Sequence, residues 1–166
     1  MHQPPVLLID GIMRERSIKF SKIFVDDEEF CGVYIVDGDK KAIIVNSNMY
    51  EPRKHFTIAH ELGHHYLNHK LDDGAIACDK NAVFGKNKPE REKEADYFAS
   101  CFLMPEDLME IKASEFKKSY IDNKQLNLLK ETETQIYNEY LNEFLRSFFQ
   151  VSKEAMRYRL EEFELI

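Results

Sequence analysis

In the stretch FTIAHELGHHYLNHK (residues 56–70), His60 and His64 stand four apart with Glu61 next to the first of them. On a helix, residues four apart share one face about a turn apart, so both imidazoles can be directed at one point while Glu61 projects beside it. Two neutral imidazole nitrogens suit Zn²⁺. Such an ion brings the pKa of a bound water down towards ~7, and a neighbouring carboxylate can then take its proton as the water attacks a carbonyl. Ile58, Leu62, Gly63, His65 and Tyr66 keep the flanking positions uncharged, as a metal-holding helix facing a dry cleft requires. The plainer alternative is a solvated helix that happens to be rich in histidine.

A catalytic zinc site takes three protein ligands and keeps one position open. A continuation HExxHxxGxxH would need Gly at 67 and His at 70, where this chain has Leu67 and Lys70. The third ligand must therefore come from elsewhere, and EREKEAD (residues 90–96) offers Glu90, Glu92 and Glu94. On a helix Glu92 falls on the face of Ala95, Asp96 and Ala99, whereas Glu94 lies about 200° further round. Glu92 is the expected ligand, with Glu94 as its substitute. Asp96, one turn beyond Glu92, is placed to orient a ligating imidazole.

These segments sit in a chain of 166 residues, 43% hydrophobic, with 12 Phe and 8 Tyr, enough for one domain with its own core. The single expected domain, 1–166, divides into a strand-rich part (1–50), the metal-binding helices (51–110) and a helical tail (111–166). A net charge of −7 argues against a direct nucleic-acid footprint, which is built from clustered Lys and Arg. Cys31, Cys78 and Cys101 are odd in number and form no CxxC pair, which favours a reducing cytoplasm over a disulfide framework. No membrane span or secretory leader is expected, since the apolar run at Val6–Ile9 is only four residues long.

Strand signals come first: VLLI (6–9), SIKF (17–20), FCGVYIV (30–36) and KAIIV (41–45), the last two joined across Asp37-Gly38, a hairpin turn signal. KAIIVN could be an edge strand to which an extended peptide adds, or an internal strand. Pro52 opens a helix on which Phe56, Ala59, Leu62, Gly63 and Tyr66 recur as a buried stripe, offset from His60 and His64. Residues 72–89 read as loop. Pro89 introduces a second helix, Pro105 ends it or starts the next, and Ser152 is an expected N-cap near the end of the chain. Strands first and helices after predict an α+β fold, a small mainly antiparallel sheet packed on the histidine helix with additional C-terminal helices.

HFTIAHELGHHYLNH, EKEADYFASCFLMP and FFQVSKEAMRYRL together resemble the ImmA/IrrE family of metallo-endopeptidases. The resemblance implies a zinc-dependent endopeptidase with His60, His64 and Glu92 as ligands, Glu61 as general base and Asp96 paired with Glu92. It further implies a helix-turn-helix repressor as substrate and partner, often encoded nearby on a mobile element, so that the chain meets DNA only through that partner. Two departures stand out: 112–147 looks longer and more acidic than the family pattern, and His55 occupies a position usually basic. The alternatives are an antirepressor that binds without cutting and keeps a structural metal, or the toxin of a toxin–antitoxin pair.

His65, about 100° round the helix from His64, and His69, five residues beyond it, are expected off the metal face. Tyr50, His55, His65 and Tyr97 are open candidates for stabilising a developing oxyanion. Cys78 is expected to be an inert thiol, with a metal-blocking thiolate as the sharper alternative. The Phe-rich run 144–149 reads as core or helix packing. Arg157 and Arg159, in a segment like half of a helix-turn-helix, read as packing residues among Glu154, Glu161, Glu162 and Glu164.

Overall fold

A computed structural model of the chain describes residues 2–27, 29–71, 73–79, 88–122 and 132–166. These residues form an α+β fold in two compact units, Met1–Leu103 and Met104–Ile166. The first unit opens with a 3₁₀ turn (Pro5–Leu8) that runs into helix α1 (Ile9–Glu15), so VLLI is helical and not the expected strand. Pro5 presets the first helical φ. Val6, Ile9 and Met13 are buried at helical spacing while Leu7 and Leu8 face solvent, a pattern that no period-2 strand could satisfy.

The sheet consists of β1 (Ile18–Ile23), β2 (Phe30–Asp37), β3 (Lys40–Asn46) and β4 (Ala75–Asp79), in the order β1-β3-β2-β4. β2 pairs antiparallel with both β3 and β4, while β1 runs parallel to β3. Gly38 closes the β2–β3 hairpin at φ +57, where a side chain would be strained. β3 is thus an internal strand, and the edges of the sheet are β1 and β4. The β4 strand lies within the stretch expected to be loop. Its five residues include two alanines, and among its described side chains Ile76 and Cys78 are the buried ones, too little for a periodicity signal. Residues 80–87 of that stretch lie outside the described residues.

Asn46, at the end of β3, is buried and clamps the connection between β1 and β2. Its Nδ2 donates to the carbonyls of Val25 (3.0 Å), Asp27 (3.3 Å) and Phe30 (3.1 Å). Its Oδ1 accepts from the amides of Val25 (3.2 Å) and Asn48 (3.0 Å). Asn46→Ala strands these groups together, and at ~0.5–1 kcal/mol for each of the five bonds the expected loss is about 2.5–5 kcal/mol. A lowered urea midpoint with an unchanged m-value is the readout.

Helix α2 (Glu51–Tyr66) begins with Pro52 in its first turn, and α3 is Glu90–Leu103. α2 packs against β2, β3 and β4 on one side and against α3 on the other. Burial therefore wraps the whole run from Thr57 to His64 and is not confined to a single stripe, while Tyr66 is partly exposed. Gly63 sets the closeness of the helix pair: a Cβ there would come within 3.1 Å of the Ala95 Cα and 3.2 Å of the Phe98 ring.

In the second unit, α4 (Glu106–Asp122), α5 (Thr132–Phe149) and α6 (Lys153–Glu162) pack together. Pro105 starts α4, its carbonyl accepting from the Met109 amide at 2.9 Å. Ser152 caps α6 by accepting from the Ala155 amide at 3.0 Å. Leu145 and Phe149 are core, and Phe144 lies on Phe116 with ring centroids 5.4 Å apart. Arg159 is buried, donating to the Met104 carbonyl (3.1 Å) and to Glu162 (2.6 Å), while Arg157 pairs with Glu161 (2.8 Å). The segment 123–131 of the expected helical tail lies outside the described residues. Among the described residues no helix is long and apolar enough to cross a membrane, and Cys31, Cys78 and Cys101 are not joined in disulfides.

Candidate metal centre

The crossing of α2 and α3 at Gly63 and Ala95 brings Glu92 against the histidine face of α2. His60 Nε2 and His64 Nε2 are 3.0 Å apart, and Glu92 Oε2 lies 3.1 Å from the first and 3.4 Å from the second. Ligands bound tetrahedrally at zinc distances are separated from one another by roughly 3.3 Å. All three side chains are buried, and the group is compatible with a metal ion.

Each imidazole is fixed through its far nitrogen. His60 Nδ1 meets Asp96 Oδ1 at 2.8 Å, and Lys88 Nζ holds the other Asp96 oxygen. His64 Nδ1 meets His69 Nδ1 at 2.8 Å, and His69 Nε2 meets Glu94 Oε2 at 3.0 Å. An ionised carboxylate only accepts, so a neutral His60 carries its proton on Nδ1 and presents a lone pair at Nε2. Glu92 contributes Oε2 to the group, while its Oε1 accepts from Arg91 Nε at 3.3 Å. Electron-pair donors thus converge with no proton to share among the neutral forms, the arrangement a cation relieves. The pKa directions express the same crowding. Burial pushes His60 down, but Asp96 and Glu92 outweigh it and hold the imidazole at about 9. Burial pushes Glu92 up, yet the two imidazoles keep its carboxyl well below the usual range. His64 is lowered, chiefly by burial.

Glu61 sits on the sheet side of α2, wholly buried, and neither carboxylate oxygen has a partner of hydrogen-bond geometry. Burial lifts its pKa to about 8, although the Cys78 thiol lies near enough to ease the push. Gly32 in β2 lets the strand approach α2 closely, since a Cβ there would stand 2.8 Å from Thr57 Cγ2, with Glu61 Oε1 3.4 Å away in ordinary contact. Cys31, on the bulged side of β2, and Cys78, on β4, are both buried behind Glu61. The Cys78 thiol is raised well above its ordinary value by its hydrogen bond with Cys31 and by burial.

The sequence model of the peptidase M78 family, described as the IrrE N-terminal-like domain, matches residues 25–161. The chain belongs to this family. No curated protein matches it. A metallopeptidase family and a group of three side chains able to hold a metal thus coincide in one chain.

Within this IrrE-like fold, the structure brings His60, His64, Glu92 and Asp96 together and places Glu61 beside them. Glu94, the substitute ligand, is on an exposed part of α3 and reaches His69 instead. His69 is not the bystander that its position five beyond His64 implies. The helix ends at Tyr66, so helical projection no longer applies, and the ring folds back onto His64. The signal for it is Asn68, a residue that readily turns left-handed just past a helix end. His65 is engaged by the Tyr34 hydroxyl at 2.9 Å, and Tyr50 and Tyr97 are exposed. Cys78 stands behind Glu61 rather than in the three-donor group. Spacing arguments passed over Gly32 and Gly63, whose contribution is the space they leave.

Proposed function

We propose that this IrrE-like chain is a zinc-dependent endopeptidase of the reducing cytoplasm that cleaves a helix-turn-helix repressor or a similar regulatory protein. The observation that carries the peptidase reading is Glu61, a buried carboxylate with both oxygens unpartnered beside a converging donor group. Two imidazoles and a carboxylate are a donor set found in zinc peptidases, and His60, His64 and Glu92 would hold the ion. Zn²⁺ bound there supplies a Lewis acid that polarises the scissile carbonyl and acidifies water near neutral pH. Glu61 takes the proton from the attacking water and later returns it to the leaving amine, while Asp96 keeps the His60 ring aimed. Burial serves this role by leaving the Glu61 lone pairs uncommitted.

A structural metal site, as in the reading of a protein that only binds its partner, has no use for such a carboxylate. Leaving buried polar atoms unsatisfied costs about 1–3 kcal/mol or more. The choice of a DNA-binding protein as substrate is supported by the sequence resemblance and by the net charge of −7, which leaves contact with DNA to the partner. The test is incubation of the purified zinc-loaded chain with a repressor encoded beside it, followed by intact-mass measurement. The expected result is discrete fragments that a chelator suppresses and added zinc restores. A repressor that leaves its operator while remaining intact would replace cleavage by binding.

A further inference from the structure

We infer that His69 and Glu94 are positioning residues for metal binding, a relay that fixes which nitrogen of His64 carries the proton and in which plane the ring lies. The inference rests on the metallopeptidase reading above. The relay is built by the end of α2. The Leu67 amide donates to the Gly63 carbonyl (2.9 Å), and the His69 amide donates back to the His64 carbonyl (3.1 Å). Asn68 between them stands at φ +52. This is the left-handed helix stop at which Asn is the commonest substitute for Gly, and it reverses the chain over the last turn. The His69 ring is thereby laid edge-on against His64, with centroids 4.9 Å apart.

The direction of the protons follows from the far end. The Glu94 carboxylate, 3.0 Å from His69 Nε2, can only accept when ionised, so His69 carries its proton on Nε2. Neutral His69 then presents a lone pair at Nδ1, and across the 2.8 Å contact His64 must donate from its own Nδ1. That leaves His64 Nε2 as a lone pair, turned to His60 Nε2 and Glu92 Oε2. His60 obtains the same result directly from one carboxylate, Asp96, whereas at His64 a carboxylate acts through a second imidazole. The relay also ties the turn after α2 to α3, as does the bond from Arg91 Nη1 to the Lys70 carbonyl (3.3 Å). The donors therefore depend on a contact outside their own group.

Zinc affinity measured by competition with a chromophoric chelator tests the relay in the full chain. His69→Phe keeps a ring but cannot accept, and is expected to weaken zinc binding roughly 10–100-fold. His69→Gln offers an amide oxygen to His64 Nδ1 and should recover most of that loss. Glu94→Gln changes only a partly exposed acid, so the fold is kept; it should weaken binding by a smaller factor, and add nothing in the His69→Phe background. Zinc affinity of the variants equal to that of the parent overturns the relay alone. So does failure of Gln to rescue, or a Glu94→Gln effect that persists in full without His69. If the unaltered chain binds no zinc, the metallopeptidase reading falls first and the relay with it.

Discussion

Cleavage by the Glu61→Gln protein is expected to fall by roughly a hundred- to ten-thousand-fold, while zinc stays bound. Glutamine matches glutamate in shape, so Thr57 and Gly32 around it need not move, and His60, His64 and Glu92 keep their places. What is lost is the ability to take a proton. The fold should tolerate the change well. In the zinc-free chain burial raises the Glu61 carboxyl to about 8, so glutamine copies its neutral form, whereas a bound cation beside it would favour the ionised form that takes the proton. Fragment formation by mass spectrometry and zinc content by elemental analysis, on one preparation, make the measurement. Cutting at the unaltered rate would remove Glu61 from the mechanism. Loss of cutting with repressor release preserved would show that binding alone relieves repression.

Gly63→Val should damage the fold and the site together, although the residue touches no metal. The Cβ alone would lie 3.1 Å from the Ala95 Cα and 3.2 Å from both the Ala95 carbonyl oxygen and the Phe98 ring, and valine adds two methyls. Backbone cannot yield as a flexible side chain does. Overpacking of this kind costs about 1–3 kcal/mol, sometimes more, and for a chain of this size that lowers Tm by roughly 2–12 °C. The helices must also separate, which draws Glu92 away from His60 and His64. Zinc affinity should drop along with Tm. A variant that melts lower but binds zinc as before would show that the carboxylate reaches the histidines regardless of how closely α2 and α3 approach.

The parts of this architecture legible in the sequence are those written locally. His60, Glu61 and His64 announce themselves because a helical turn is a fixed distance, and Pro52 marks where that helix starts. The hairpin was readable from Asp37 and Gly38, and the α+β class from the order of strand and helix signals. Illegible were features whose cause lies across the fold. β4 is a strand because β2 offers it a ladder, not because AIACD insists on being one. The tetrapeptide VLLI looked like a strand until Met13, four residues beyond Ile9, completed a helical face. His69 was projected along a helix that had already ended. Gly32 and Gly63 matter for the neighbours they admit, and one sequence shows no neighbours.

The donors differ in how they are brought together, and this sets how an ion would leave. His60 and His64 are neighbours whenever one turn of α2 is intact, whereas Glu92 joins them only while α3 is docked. Transient undocking of α3 would strip away the carboxylate first, leaving a two-nitrogen grip that exchanges its cargo far more readily. The residence time of a bound ion would therefore be governed by the breathing of a helix–helix seam, and substitutions along that seam would alter release without touching His60, His64 or Glu92.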